Sequence, residues 1–205
     1  MAELPQDVQQ WNNSTGFTAL LELNKKFLRG KISSSPYHYG PIEEETHSLV
    51  PSLLKLHEWQ IFTWSSQPYS RECKRGDGGK FYDHWQRPFI SFIVAEKNNP
   101  RRLFHELRKK KDIKVHARKA YSLEAALRGS FTKKKIVTKY RRSFFPRRWK
   151  ALTDLDPAAD IAEEDIFCLK AMKQADPWEF EVVAASWKDV DITGIVIDAI
   201  DAAQA

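Results

Sequence analysis

Cysteine is scarce in this chain of 205 residues, which has only Cys73 and Cys168, far apart in the sequence. That scarcity excludes the disulfide framework of a small secreted domain and a zinc site built on paired cysteines. The six histidines and the two cysteines never come at ligand spacing, so we expect no metal and no cofactor. Such cysteine usage favours a reducing compartment.

Long apolar runs are missing as well. No segment reaches transmembrane length, and the N-terminus lacks the basic-then-apolar pattern of a secretory signal. We therefore expect a soluble, cytoplasmic protein with no membrane partner. The apolar content of 42% with 12% aromatics is typical of a globular chain, and no internal repeat or low-complexity linker divides it. The prediction is a loose N-terminal segment over residues 1–14, followed by a single domain over residues 15–205.

Basic residues are nearly absent from residues 151–205, which hold 3 of them against 13 acids. They are concentrated in residues 101–150, where 19 Lys or Arg accompany only 3 acids. The net charge of +6 therefore hides a strong asymmetry. A basic segment of this density is typical of a protein with a polyanion partner, and counterion release makes nucleic acid the natural one. Two alternatives stay open, namely a solvated surface and pairing with the acidic C-terminal segment.

The predicted nucleic-acid contacts form four clusters, and aromatic residues accompany the last one. Tyr140, Phe144, Phe145 and Trp149 lie among its bases. This mixture suits single-stranded or end regions, because phosphates are neutralised while bases stack. Core packing is the alternative for Phe144 and Phe145. The predicted basic contacts are Arg101, Arg102, Arg108, Lys109, Lys110, Lys111, Lys133, Lys134, Lys135, Arg141, Arg142, Arg147, Arg148 and Lys150.

Hydrophobic periodicity predicts helices and strands that do not alternate strictly. We predict an α+β (mixed α/β) fold in which one central mixed sheet is flanked by helices. The segment 89–95 (FISFIVA) is almost wholly apolar, so we expect it to be a central strand. Residues 70–80 are predicted to be a glycine-rich turn region. The predicted helices span residues 17–29, 43–59, 99–111, 161–174 and 192–203. Besides the strand 89–95, the predicted strands span 61–65, 113–117, 136–140 and 180–184.

The order of several short motifs carries a resemblance. Glu45-Thr46 is followed by TWSSQP at residues 63–68, and then by Gly78-Gly79 ahead of Gln86 and the apolar strand. This series resembles the S-adenosylmethionine-binding C-terminal regulatory domain of eukaryotic methylenetetrahydrofolate reductase, over roughly residues 20–95. The resemblance implies a similar fold. The chain departs from that family because it lacks the catalytic barrel and carries the basic segment. The implied pocket residues are Glu45, Thr46, Thr63 and Ser66, with Thr138 as a weaker match.

A second resemblance extends over the small protein as a whole. HYGP at residues 38–41, Glu45-Thr46, SSQP at 65–68 and WQRP at 85–88 are similar to motifs of the fungal arginine-containing cyclodipeptide synthases. That resemblance implies an aminoacyltransferase of secondary metabolism. Its partners would be arginyl-tRNA and a second aminoacyl-tRNA, and its product a diketopiperazine that contains arginine. It accounts for the pocket motifs and for the basic segment together.

The chemistry implied by this resemblance needs no ATP, because aminoacyl-tRNA is already an activated ester. It needs a base for the attacking amine, donors for the oxyanion, and a carboxylate for the guanidinium. Ser66 is the candidate nucleophile or oxyanion donor, and Glu45 the candidate base or guanidinium partner. Tyr82 and His84 are candidates for proton transfer. The predicted substrate-binding residues are Thr46, Thr63, Ser65, Gln67, Trp85, Gln86 and Thr138.

Structural roles remain open for these residues. The Ser66-Gln67-Pro68 turn can simply end a strand, and Glu45 can simply begin a helix beside Glu43 and Glu44. Two other functions also remain open, an S-adenosylmethionine- or nucleotide-binding module and a non-catalytic RNA-binding protein. The sequence leaves undecided the second amino acid, the choice between a covalent route and direct aminolysis, and the oligomeric state.

Overall fold

The computed structural model describes residues 10–11, 13–35, 38–75, 81–119, 138–139 and 175–204. Helices and strands follow one another without strict alternation, as predicted. The α-helices are α1 (Phe17–Leu28), α2 (Val50–Glu58), α3 (Pro100–Arg108) and α4 (Ile192–Gln204), with 3-10 helices at Glu44–Leu49 and Glu96–Asn98. The strands are β1 (Ser34–Ser35), β2 (His38–Tyr39), β3 (Ile61–Gln67), β4 (Ser70–Arg75), β5 (Phe81–Gln86), β6 (Phe89–Val94), β7 (Ile113–Lys119), β8 (Thr138–Lys139) and β9 (Trp178–Ala184).

The central sheet has four strands in the order β3-β6-β9-β7, and each neighbouring pair is antiparallel. The α+β class is confirmed. The prediction of a mixed sheet is wrong for this sheet, because periodicity identifies strands but carries no information on their relative direction. Strand β6 is buried along its whole length, as its apolar sequence predicts, and it lies in the interior of the sheet between β3 and β9.

Helices α2, α3 and α4 cover one face of this sheet. Their inward residues Leu56, Leu107 and Val196 are fully buried in the same cluster as Phe92 and Phe180. The rings of Phe92 and Phe180 are stacked, with centroids 5.1 Å apart, at paired positions of β6 and β9. Each large apolar side chain buried here contributes roughly 1.5–3 kcal/mol, so this layer is the main source of stability.

Helix α1 packs on the opposite face, where Leu20 and Phe27 join Phe62 of β3 and Ile93 of β6. Trp11 belongs to the same cluster and is only 2% exposed. Trp11 lies within the predicted N-terminal segment 1–14, and its large apolar side chain packs in the core although its sequence neighbours are polar.

A long β-hairpin extends from the central sheet. Strands β3 and β6 pair up to Gln67 and Phe89, and β4 and β5 resume in the same register at Ser70 and Gln86. Pro68 and Pro88 therefore face each other between the two ladders. Neither proline has a backbone N–H to donate, so the ladder is interrupted there. We call Pro68, Tyr69, Arg87 and Pro88 the proline break.

The outer half of the hairpin corrects another prediction. Residues 70–75, expected to belong to a glycine-rich turn, form strand β4 and pair with β5. The remainder of that predicted turn, residues 76–80, lies outside the described residues. Strand β8 pairs with β5 on its other side, so β4, β5 and β8 form a second antiparallel sheet.

The remaining helix predictions agree with the structure, with shifted bounds. The predicted helix over residues 43–59 is a 3-10 helix followed by α2, because Pro51 removes one backbone donor and favours a helix start. Helix α3 ends at Arg108 rather than at residue 111. The predicted helix over residues 161–174 lies outside the described residues, as do all of residues 136–140 except β8.

Candidate functional site

The proline break brings together predicted site residues from separate parts of the chain. The Gln67 side-chain amide donates to Glu45 Oε1 at 3.5 Å, a long hydrogen bond across 22 positions of sequence. The Gln86 amide donates to the Pro68 carbonyl at 3.3 Å. Thr138 pairs with Gln86 along β8. Four residues named from the sequence therefore lie around one end of the central sheet, namely Glu45, Gln67, Gln86 and Thr138.

Glu45 lies in the first turn of the 3-10 helix that runs beside β3, and its side chain is exposed. The Ser48 hydroxyl donates to the Glu45 carbonyl at 3.4 Å, so the backbone is held locally. Thr46 follows it and is half-buried. The Glu45 carboxylate is thus available to a cationic group or to an amine proton, since its only described partner is the Gln67 amide.

A β-bulge at Trp64 sets the directions of the two candidate serines. The register shifts between Thr63 and Ser65, after which Ser65 pairs with Ser91 and Ser66 pairs with Ile90. Adjacent residues of a strand point to opposite faces, so Ser65 and Ser66 lie on opposite sides of the sheet. No described side chain hydrogen-bonds to the Ser66 hydroxyl. The described residues therefore supply no base that would activate Ser66 as a nucleophile.

The other predicted residues of this region differ in their surroundings. Thr63 is 5% exposed, and its carbonyl accepts a hydrogen bond from Asn24 at 2.5 Å, which ties α1 to β3. Along β5, Tyr82 pairs with Lys74, His84 with Glu72, and Trp85 with Arg71 and Lys139. The side chains of Tyr82, His84 and Trp85 lie outside the described residues.

Arg87 is a residue of the proline break to which the sequence analysis gave no role. It is only 6% exposed, donates from Nη1 to the Ala184 carbonyl at 3.0 Å, and lies 4.8 Å from the centroid of the Trp187 ring. Its Nε has no hydrogen-bond partner, and no described carboxylate is paired with it. Burial lowers the pKa of this guanidinium. A buried guanidinium without a paired carboxylate places an uncompensated positive charge at this end of the sheet.

Ser91 is a second polar residue that the sequence analysis missed. It is fully buried within the apolar β6, and its hydroxyl has no hydrogen-bond partner. Its register partners are Ser65 on β3 and Glu181 on β9, and Glu181 pairs in turn with His116 on β7. A row of polar residues therefore crosses one face of the sheet. The signal in the sequence was the lone serine in the segment FISFIV.

Helix α3 carries the described part of the basic segment. Arg101, Arg102, His105, Arg108 and Lys109 are exposed, and their spacing places them along one stripe, which we call the α3 basic face. Lys111 is exposed and Lys110 half-buried just beyond the helix, and Lys114 is exposed on β7. The predicted contacts over 101–111 therefore lie at one surface.

Few acids neutralise this surface. Glu106 pairs with Lys109 at 2.6 Å, and that hydrogen bond lowers the pKa of Glu106. Arg101 lies over the Trp178 ring at 5.7 Å and Arg108 over the Phe104 ring at 5.6 Å, contacts that leave both charges uncompensated. The other predicted contacts, Lys133, Lys134, Lys135, Arg141, Arg142, Arg147, Arg148 and Lys150, lie outside the described residues.

Neither a membrane span nor a metal centre occurs in the described parts of the chain. No helix there is long and apolar enough to cross a bilayer. No group of three or more His, Cys, Asp or Glu side chains there is arranged to hold a metal ion.

Comparison with known proteins places the chain in a family without an assigned activity. No curated protein matches it. A family model described as a domain of unknown function, DUF6919, matches residues 6–202. That match includes β3 to β6, the α3 basic face and most of helix α4. The chain therefore belongs to the DUF6919 family.

Proposed function

We propose that this protein is an aminoacyl-tRNA-dependent synthase that acts in the cytoplasm. It would join the arginyl group of arginyl-tRNA to a second aminoacyl group as a cyclic dipeptide. The observation that carries the proposal is the α3 basic face, an exposed stripe of basic side chains with one paired acid, Glu106. Such a surface matches the phosphates of an RNA acceptor stem, which proteins recognise mainly by shape and charge.

The residues around the proline break support the chemical half of the proposal. Glu45 presents an exposed carboxylate that the Gln67 amide contacts from β3. A carboxylate of this kind binds a guanidinium through paired hydrogen bonds or accepts a proton from an α-amine. The buried Arg87 lies in the same break, and its positive charge favours an anionic group of the bound RNA at this end of the sheet.

The reaction consists of two aminolysis steps. The α-amine of one aminoacyl group attacks the ester carbonyl of the other. An amide forms, and the tRNA that carried the attacked group leaves with its ribose hydroxyl. The α-amine of the resulting dipeptidyl-tRNA then attacks its own ester, which closes the six-membered ring and releases the second tRNA. In each step the amine loses one proton and the leaving oxygen gains one, and Glu45 is the group proposed to carry it.

Direct aminolysis is the route that we propose. An acyl-enzyme on Ser66 would need a neighbouring base, and none of the described side chains hydrogen-bonds to its hydroxyl. Ser66 would then serve as a hydrogen-bond donor to substrate or oxyanion. Replacing Ser66 with alanine should lower turnover. On the direct route, no acyl-enzyme should form in the unchanged protein or in this variant.

The test is expression of the chain in a bacterial host, followed by mass spectrometry of medium and cell extract for cyclic dipeptides that contain arginine. The proposal expects such a product, absent from cells with empty vector and from cells expressing Glu45→Gln. If folded protein gives no product in the host or with purified aminoacyl-tRNAs, the synthase proposal is wrong. A thermal shift with S-adenosylmethionine and none with tRNA would instead indicate a small-ligand module, and tRNA binding without turnover would indicate a non-catalytic RNA-binding protein.

A further inference from the structure

A groove of about 350 Å³ opens at the start of helix α3, away from the proline break. Its floor includes Ile61, Leu103 and Ile200, and its walls come from the end of α2, the start of α3 and the end of α4. This volume lies in the lower part of the range of small-ligand sites, roughly 300–1,000 Å³. The sequence analysis assigned no function to any of these residues.

One wall of the groove contains a donor without a partner. Nδ2 of Asn98 is shielded from solvent and makes no hydrogen bond. An amide left unpaired in this way costs about 1–3 kcal/mol, so an apolar side chain would serve better if this position only had to fill space. Because Nδ2 is shielded, this side chain would have to turn toward the groove to donate to an acceptor on a bound ligand.

The backbone of the groove has two non-glycine residues in the left-handed region, Gln60 (φ 59°) and Asn99 (φ 52°). Asn99 has a structural reason, because its side chain caps α3 by accepting a hydrogen bond from the Arg102 amide at 3.4 Å. Gln60 follows the end of α2, where glycine is the usual residue, and no described group bonds its side chain. The cost of placing glutamine there is explained if its carboxamide faces a ligand.

The chemistry of the groove selects a flat, neutral ligand with hydrogen-bonding edges. Trp59 provides an aromatic wall, and Lys55 lies over its ring at 5.1 Å from the centroid. Gln60 and Asn98 provide carboxamides, which pair with acceptor and donor groups on a base edge. The exposed Glu58 carboxylate at the rim opposes an anionic ligand. A nucleobase meets each of these conditions, since unstacked bases bind between aromatic and amide side chains.

We propose that this groove binds an unpaired nucleobase of the RNA held by the α3 basic face. The inference rests on the proposed function, and it adds a site that recognises one base of a single-stranded end. Arg101 and Arg102 are exposed within the first turn after Asn98 and Asn99, so phosphates on the basic face would continue directly to a base in the groove. An unpaired base near the 3′ end of an acceptor stem provides such a base, because the aminoacylated terminal nucleotide itself belongs at the proline break, at the other end of β3.

The test compares two RNA hairpins of identical stem, one blunt and one with a single-stranded 3′ ACCA overhang, by fluorescence anisotropy with the full chain. We expect the overhang RNA to bind the unchanged protein at least tenfold more tightly than the blunt RNA. Asn98→Asp, which replaces the donor by an acceptor at equal size, should remove that preference while leaving blunt-RNA affinity within threefold. Trp59→Leu should do the same. Asn13→Asp, the same change at an exposed site, is the matched control.

The outcomes separate this inference from the proposed function. Equal affinity of the unchanged protein for both RNAs, or an overhang preference that survives Asn98→Asp, overturns the groove inference and leaves RNA binding intact. No binding of either RNA overturns both. Free adenosine, which is neutral, is the remaining probe. If it binds in an Asn98-dependent manner while RNA does not, the groove takes its base from a free nucleoside, and the RNA source is overturned. Circular dichroism melts confirm that each variant is folded.

Discussion

The Asn24 side-chain amide donates to Nε2 of His57 across 2.9 Å, inside the core between α1 and α2. The same amide donates to the Thr63 carbonyl, and Nδ1 of His57 donates to the Leu53 carbonyl at 2.7 Å. These partners require a neutral imidazole that carries its proton on Nδ1. Burial lowers the pKa of His57 to about 4, in agreement with that assignment.

His57 predicts a loss of stability in acid. The unfolded chain binds a proton at a pKa of 6.5 and the folded chain only at about 4, so the free energy of unfolding falls as the pH drops through that window. The full effect is ~3 kcal/mol. Urea titrations at pH 7, 5.5 and 4.5 should show a flatter pH dependence for His57→Gln, whose amide can replace both hydrogen bonds. The exposed His47→Gln serves as control, and parallel curves for His57→Gln and the unchanged protein would contradict the assignment.

Charge reversal on the α3 basic face should weaken the binding of RNA whatever the base sequence of the RNA. For Arg102→Glu with Arg108→Glu, we expect the slope of log K against log salt to fall by about 0.7–0.9 for each phosphate that is no longer neutralised. Both residues are exposed, so the free energy of unfolding should change by only about 1 kcal/mol, mainly through the lost contact of Arg108 with the Phe104 ring. Filter binding at several salt concentrations measures the slope. Lys26→Glu with Lys31→Glu makes the same change of net charge at exposed sites in and just beyond α1. An equal weakening in that control would show that net charge alone attracts the RNA.

Glu45→Gln should abolish the proposed turnover while sparing RNA affinity and folding. The change removes a negative charge that the reaction needs and keeps an oxygen for the Gln67 amide. We expect a fall in product formation of about 10²–10⁴-fold, the usual contribution of a general base. The adjacent Glu44→Gln is the matched control, because Glu44 is exposed in the same helical turn. Equal activity of the two variants would remove Glu45 from the mechanism.

Arg87→Met separates a ligand-binding arginine from a structural one. The variant removes a desolvated charge and one hydrogen bond to the Ala184 carbonyl, and its long apolar side chain can still pack against Trp187. We expect a stability change within about 1.5 kcal/mol, because the variant no longer buries an unpaired charge and this gain offsets the missing hydrogen bond. Product formation should nevertheless be abolished. If the urea midpoint drops strongly while the folded variant keeps its activity, the role of Arg87 is structural only.

Trp11→Ala should destabilise the whole domain. Its side chain is 2% exposed within the cluster that includes Phe62 and Ile93 of the central sheet. Truncation of a buried aromatic side chain costs roughly 3–5 kcal/mol. Thermal melts of this variant and of the exposed Asn13→Ala would measure the difference, and equal melting temperatures would show that the N-terminal region makes no contribution to the core.

The sequence predicted those elements whose hydrophobic pattern is strong. Helix α1 and strand β6 lie where periodicity and apolar content placed them. Strand β4 was missed because its sequence, SRECKR, is polar and adjoins a glycine cluster, so only its pairing with β5 identifies it as a strand. Strand direction was also beyond reach, because the period of two is the same in parallel and antiparallel pairs.

The candidate site was predictable as a set of residue types but not as a geometry. Glu45 and Gln67 were both named from motifs, yet their contact depends on how the 3-10 helix lies along β3. The opposite orientation of Ser65 and Ser66 follows from the bulge at Trp64, which no local signal announces. Arg87 was passed over because arginines are rarely buried, and only packing against Ala184 and Trp187 reveals this one.

Pro68 and Pro88 divide the hairpin into two separate ladders of backbone hydrogen bonds, β3 with β6 and β4 with β5. Hydrogen-bond cooperativity cannot pass through Pro68 and Pro88, since neither residue has an amide proton. Strands β4 and β5 are therefore joined to β3 and β6 by fewer backbone hydrogen bonds than an unbroken hairpin would have. We expect changes of length or sequence in that arm to cost the core little.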